Sequence, residues 1–371
     1  MINQSFIIGI TGNIATGKSV IRRMLENAGA FTMDADFLAH RMLYPGGPAY
    51  QSVVDAFGPQ ILMADRMISN NKLGEIVFND PQRLNQLESL IHPPVINAIL
   101  ARIKAAKRPL VAVEAIKLLE AGLGTYCDSI WVSHASFDHQ VKRLLDTRGL
   151  TEEEAKARIN AQTAQSLKLS QADVIINTET SFKDTWRRTR KALNDTIQSL
   201  RDAPLNINNL DGYSLEPVSH VPDSHLETVW GKLTGEDPAS LYEQLGMRKV
   251  LLITHMDRIS VIIVCESWNF TTALTKVFPI QMLTTQPGLI LSAFEQHGRV
   301  NQSEVLLIPN AIGDGIIDQM EASGFLNQSL DQFTYPAWQM VAQKAISNHE
   351  TSIWVKILAQ PFEVEHNGFI Q

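Results

Sequence analysis

Eight residues, Gly12-Asn13-Ile14-Ala15-Thr16-Gly17-Lys18-Ser19, separate a short apolar run, Phe6 to Ile10, from an amphipathic stretch that runs from about Lys18 to Asn27. The run reads as a buried strand and the stretch as a helix. The turn between them fits G-x-x-x-x-G-K-[ST] in the strand-then-helix context that this pattern requires. Glycines there let successive amides turn inward and form a nest for an anion, and the helix N-terminus adds partial positive charge. Lys18 can reach β- and γ-phosphates, and the Ser19 hydroxyl can ligate Mg²⁺. The segment from Gly12 to Ser19 is therefore expected to hold a nucleoside triphosphate with its metal.

The rest of the first two hundred residues alternates strand and helix. Phe31 to Met33, Leu110 to Ala115, Ser129 to Ser133 and Val174 to Ile176 read as short apolar strands. Helices are expected at 71–107 with an interruption at His92-Pro93-Pro94, then at 137–148, 151–163 and 182–200. Apolar strands alternating with helices imply an α/β fold with a parallel sheet covered on both faces. The second strand runs into Met33-Asp34-Ala35-Asp36. Strand ends beside a phosphate loop face the same crevice, so a carboxylate here can orient or deprotonate an attacking hydroxyl. Phe37 begins a helix, which makes Asp34 the natural cap and leaves Asp36 for chemistry. No N-K-x-D guanine signature occurs, which weighs against a GTPase.

These segments, in this order, resemble the dephospho-coenzyme A kinase family from about Ile7 to Ala192. The resemblance is carried by ITGNIATGKSV, MDADFLAH, LGEIVFND, LIHPPV, EAIKLLEAG, QVKRLLDTRGLTEEEAKARINAQ and KLSQADVIINT. It implies a nucleotide-kinase-like sheet with a helical insertion for the acceptor and a lid over ATP. It also implies transfer of the γ-phosphoryl group of ATP to the ribose 3′-hydroxyl of dephospho-coenzyme A with Mg²⁺, the last step of coenzyme A synthesis. By the resemblance Asp36 is the base or orienting group. His92, Pro93 and Glu120 attend the acceptor, and Arg143, Arg148 and Lys168 attend the nucleotide. The family's small loop residues are replaced by Asn13, Ala15 and Thr16, with Asn13 suited to a left-handed backbone. Its D-x-P-L-L-F-E is Glu114 to Glu120, with Lys117 inside, and its lid Q-x-P-R-E-x-K is Gln162 to Lys168 without the arginine. Two other readings fit the same loop. One is a kinase of the same fold acting on another small molecule or nucleotide. The other is a decayed nucleotide-dependent scaffold, which the altered lid would suit.

Charge divides the chain. Residues 1–201 carry 24 basic and 20 acidic side chains, and residues 202–371 carry 8 and 19. The change falls in DAPLNINNLDGYSLEP at 202–217, which reads as a linker. A kinase unit at 1–203, long enough to build its own core, and an acidic α/β unit at 204–371 are expected. In the second unit, strands at 250–253, 260–265 and 305–308 and helices at 225–233, 289–298 and 316–322 are read. Gly324-Phe325 follows them. That order faintly resembles the GNAT acetyltransferase fold. Its pyrophosphate loop, however, is replaced by Thr284-Thr285-Gln286-Pro287-Gly288-Leu289, and a degenerate or structural unit is the expectation. Trp230, Trp268, Trp338 and Trp354 are read as core.

With two cysteines far apart, no disulfide framework or Cys-rich metal site is expected. The N-terminal MINQSFIIGITGN lacks a basic n-region, and no apolar stretch is long enough to span a membrane. No basic stripe with interleaved aromatics appears, so nucleic acid is not an expected partner. A cytoplasmic enzyme with ATP and dephospho-coenzyme A as its small-molecule partners is the resulting expectation.

Overall fold

The computed structural model describes residues 5–197, 209–210, 212–268, 270–313, 315–333, 335–346 and 350–361. The 203/204 boundary lies outside the described residues. The first unit contains β1 (Phe6–Thr11), α1 (Lys18–Asn27), β2 (Phe31–Asp34), α2 (Ala35–Met42), α3 (Tyr50–Phe57), α4 (Asn70–Val77) and α5 (Pro81–Ala106). It continues with β3 (Leu110–Glu114), β4 (Ser129–His134), α6 (Phe137–Arg148), α7 (Glu152–Asn160), α8 (Gln165–Leu169), β5 (Val174–Asn177) and α9 (Phe182–Thr196). The five strands are all parallel, in the order β2-β3-β1-β4-β5, so the strand that feeds the loop at Gly12 is central.

The helical stretch after residue 70 breaks at a different place from the one its prolines suggest. Asp80 caps α5 by accepting from the amides of Gln82 and Arg83 at 2.9 and 3.2 Å, with Pro81 in the first turn where its missing N–H costs nothing. The helix then runs straight through Pro93 and Pro94. Each proline removes one amide donor and crowds the carbonyl four residues back. Burial of Ile91, Val95, Ala98 and Ile99 along the same face offsets that loss. The lid stretch also ends early, α7 stopping at Asn160 and α8 starting at Gln165.

The second unit holds β6 (Asn209–Leu210), β7 (Tyr213–Glu216), α10 (Asp223–Thr234), α11 (Ser240–Met247), β8 (Lys249–His255), β9 (Arg258–Trp268), β10 (Thr271–Phe278), α12 (Met282–Thr285) and α13 (Pro287–Val300). Then come β11 (Val305–Ile308), α14 (Asn310–Gly313), α15 (Ile317–Ala322), β12 (Leu326–Ser329), α16 (Pro336–Ala345) and β13 (Ser352–Ile357). Its eight strands are ordered β12-β13-β11-β10-β9-β8-β7-β6, antiparallel except for the pair β10 and β11, which α13 connects. The strand, helix, strand, helix and Gly324-Phe325 order read from the sequence is present. The first half of the 284–289 loop has its amides bonded locally. Thr284 and Thr285 donate to the Gln281 carbonyl and Gln286 to the Met282 carbonyl, and Pro287 has no donor. Part of the expected linker, Tyr213 to Glu216, is strand paired to β8. Trp230, Trp338 and Trp354 are buried, while Trp268 is only partly so.

Chemically distinct, the two units share their cores. One apolar cluster joins Phe31, Leu38 and Val113 to Val305, Trp338 and Ile353; another joins Ile8, Met24 and Trp186 to Trp230, Leu245 and Ile262. Basic residues of α9 meet acids of α10, with Arg190 to Asp223 at 2.9 Å and Lys183 to Glu227 at 2.7 Å. Asn27, fully buried at the end of α1, donates to the Leu245 and Arg248 carbonyls at 2.9 and 2.8 Å and accepts from the Val250 amide at 2.8 Å. Asn27→Ala would leave three backbone groups unsatisfied at this junction. It is expected to destabilise the full chain by about 2–4 kcal/mol, measured by urea denaturation. A loss no larger than that of an exposed asparagine would show that water replaces the side chain.

Candidate active site

The loop from Gly12 to Ser19 lies at the carboxyl end of β1. Gly12 and Gly17 have φ of 146° and 89°, and a Cβ on Gly12 would lie 2.3 Å from Ser133 Oγ. Of the substituted positions it is Ala15, at φ 59°, that takes the left-handed backbone, and not Asn13. Asn13 ties the loop to the lid instead. Its Nδ2 donates to the Thr163 carbonyl at 3.0 Å, while the Ile14 amide donates to Gln162 Oε1 at 2.7 Å. Thr16 Oγ1 sits within the loop, 2.7 Å from the Asn13 carbonyl. Lys18 is buried at the head of α1, its Nζ donating to the Asn13 carbonyl at 3.0 Å. Burial lowers its pKa, against the pull of Glu114 and Asp36.

The register of β2 on β3 sets Asp34 beside Glu114. Glu114 accepts from Ser19 Oγ at 2.7 Å and from Arg22 Nε at 2.7 Å. Asp34 caps α2 by accepting from the Phe37 amide at 3.0 Å. Asp36, in the first turn, accepts from the Ile116 amide at 3.0 Å through Oδ2. Burial raises the Asp36 carboxyl, opposed by that amide and by Lys18.

Two cleft volumes meet at Asp36. The larger, about 540 Å³, is lined by the loop, Ser19, Asp34, Glu114, Arg143 and Arg148. The smaller, about 220 Å³ and largely apolar, lies between α2 and α5 and is lined by Leu84, Leu87, Ile91, His92 and Val95. Asp36 lines both. Pro93 sits next to His92 on α5 but does not line the cleft, and Glu120 lies outside both. Lys117 and Glu88 form an ion pair across the smaller cleft.

The expected nucleotide cations are placed differently from one another. Arg143 braces the loop, donating to the Ala15 carbonyl at 2.9 Å and to Thr178 Oγ1 at 3.0 Å. Arg148 is exposed on the rim. Lys168 is buried, hydrogen-bonded to the Ile116 carbonyl and 3.3 Å from Glu120, so Glu120 and Lys168 together support the strap that holds Asp36. Sequence reasoning passed over Glu114 and Thr178 as site residues. Glu114 ends an apolar strand beside the loop, which is the same signal that singled out Asp36. Met247, from the second unit, also lines the larger cleft, and no local pattern announces it.

The family model for dephospho-CoA kinase matches residues 6–184. The dephospho-CoA kinase of Carboxydothermus hydrogenoformans is 40% identical over 182 residues, which are 48% of this chain and 88% of that one. The chain belongs to the dephospho-CoA kinase family. The enzyme of Geobacillus kaustophilus is 39% identical over 188 residues, half of this chain and 94% of that one. Among solved structures, dephospho-CoA kinase from Campylobacter jejuni aligns at 25% identity with a TM-score of 0.41, over 53% of this chain and all of that one. A GNAT family acetyltransferase from Elizabethkingia anophelis aligns over 39% of this chain and 97% of that one, at 16% identity and a TM-score of 0.25. Among the described residues, no helix is long and apolar enough to cross a membrane.

Within this kinase, burial and then the adjacent Glu114 raise the Asp34 carboxyl to about 6. An acid raised on folding above its starting value of 3.8 stabilises the fold fully below that pH, and the contribution is lost as pH rises through about 6. Asp34→Asn keeps a capping oxygen and removes the titration. The Tm of the variant minus that of wild type should therefore grow between about pH 4 and about pH 7 in ligand-free protein. A constant difference would contradict the shift.

Proposed function

We propose that the larger cleft holds Mg-ATP, that the smaller holds dephospho-coenzyme A, and that Asp36 orients and deprotonates the ribose 3′-hydroxyl between them. The observation that supports this most directly is the place of Asp36, which lines both clefts with one oxygen spent on the Ile116 amide. A carboxylate fixed by one oxygen keeps the other for a substrate proton. Its raised pKa makes it a better base than a solvated aspartate.

The loop amides and Lys18 would cradle the phosphates, and Arg143 and Arg148 would face the charge that develops on the transferred group. Lys168 would act indirectly, through the Ile116 strap. His92 would contact the acceptor from α5, with Pro93 beside it in the same unbroken helix and Glu120 steadying Lys168. For the metal, the donors present are hard oxygens, the Ser19 hydroxyl with the carboxylates of Glu114 and Asp34. No group of three or more metal-binding side chains stands ready among the described residues. That fits Mg²⁺, which binds through one or two protein oxygens, water and substrate phosphates. The ion would neutralise phosphate charge.

ATP-dependent phosphorylation of dephospho-coenzyme A by the purified chain is the direct test. Asp36→Asn should lower kcat by about 10²–10⁴-fold with little change in ATP affinity. If Asp34→Asn is the crippling change, the two carboxylates have exchanged roles. Lys18→Ala should abolish transfer in a folded protein, as judged by circular dichroism. Near wild-type turnover there would remove the loop from the mechanism.

A further inference from the structure

The two helices that frame the acceptor cleft each carry a buried arginine that the chemistry does not use, Arg41 in the last turn of α2 and Arg102 near the end of α5. Both have no exposed surface. Buried cations require a counter-charge, and neither helix supplies one. It comes from the second unit. Glu304, just before β11, accepts from Arg41 Nη2 through Oε1, and the same oxygen lies 3.6 Å from Arg102 Nη2. Its Oε2 accepts from Arg41 Nη1 at 3.2 Å and from Trp338 Nε1 at 3.1 Å.

This carboxylate is itself held in place. The Glu304 amide donates to the Phe270 carbonyl at 2.5 Å, and its carbonyl accepts from the Leu358 amide at 2.7 Å. The guanidinium of Arg102 stacks 3.4 Å from the Phe270 ring centre. Gln302, two residues before Glu304, exchanges hydrogen bonds with Arg102, donating to its carbonyl at 2.8 Å and accepting from Nη1 at 3.3 Å. The eight-residue α2 is thus pinned at both ends, by Asp36 on the Ile116 amide in its first turn and by Arg41 on Glu304 in its last.

We propose that Glu304 is a positioning residue for the kinase reaction. Through Arg41 and Arg102 it fixes α2 against α5, and so sets the width of the acceptor cleft and the place of Asp36. Through this contact the second unit serves the chemistry of the first, although Glu304 itself lines neither cleft. An apolar contact would hold the helices together equally well, whereas a forked guanidinium on a carboxylate also fixes direction. The inference rests on the acceptor assignment made above for the α2–α5 cleft.

The test uses the full chain with Glu304→Gln, which keeps shape and an oxygen for Trp338 but removes the charge. The KM for dephospho-coenzyme A should rise about tenfold while the KM for ATP changes less than about twofold, because a small displacement near the acceptor is costly and the phosphate loop stands on other elements. Glu304→Asp should restore part of the loss. Hydrogen exchange should quicken in α2 and not in α1. A folded variant with both KM values and α2 exchange unchanged, or with both KM values raised equally, overturns the proposal. If Glu304→Gln does not fold, Trp338→Phe removes one donor and keeps an aromatic side chain. It should show the same split at about threefold, and no split there overturns the proposal. Should wild type fail to phosphorylate dephospho-coenzyme A, the functional reading falls, and α2 exchange alone then decides for or against the clamp.

Discussion

The parallel pairing of β2 with β3, which sets Asp34 opposite Glu114, governs the chemistry of this kinase. Parallel strands end at one edge, and here that edge brings two carboxylates into a space with little water. Burial and then their repulsion, met by Arg22 on one side, raise the Asp34 carboxyl to about 6. Ser19 is drawn onto Glu114 by the same arrangement. The chain then turns into α2 with Asp34 as its cap, and Asp36 comes to the junction of the two clefts. The carboxylate pair, the place of Ser19 and the place of Asp36 all bear on one strand register.

The second unit supplies what a sheet edge cannot. Apolar clusters run without a break from one unit into the other, and the excess positive charge of the first half meets the negative charge of the second at α9 and α10. The opposite charges of the two halves, which divide the chain in the sequence, are in part a description of this internal contact. In the loop at 284–289 the amides of Thr284, Thr285 and Gln286 are engaged locally and Pro287 has none, while Gly288 and Leu289 open α13.

Much of the site was legible in the sequence because its signals are local. The strand, turn and helix around Gly12 to Ser19, the strand into Asp34-Ala35-Asp36 and the Asp34 cap each rest on a few consecutive residues, and the structure has this local geometry as read. Other signals were local but outweighed. Pro93 and Pro94 suggested a helix break, whereas the packing of Ile91, Val95 and Ile99 carries α5 through them. Asn13 was suited to a left-handed backbone, yet Ala15 takes it and Asn13 reaches the lid. The illegible part is long-range. Glu304 lies 263 residues from Arg41, and no spacing rule connects them. Met247 reaches the larger cleft because α11 packs on α1 and α9.

The order of the second sheet bears on how the protein is made. Strand β13 is the last described strand, yet it lies inside the sheet, between β11 and β12. On the ribosome, β11 and β12 therefore emerge with an empty lane between them, and the sheet stays divided until residue 357 is synthesised. The cluster that backs Phe31 and Leu38 includes Ile353 and Val355, so the kinase half also waits with apolar surface uncovered. A nascent chain in that condition is exposed to chaperones and proteases for most of its translation time. The fused arrangement that steadies the finished enzyme thus delays the moment at which any of it is complete.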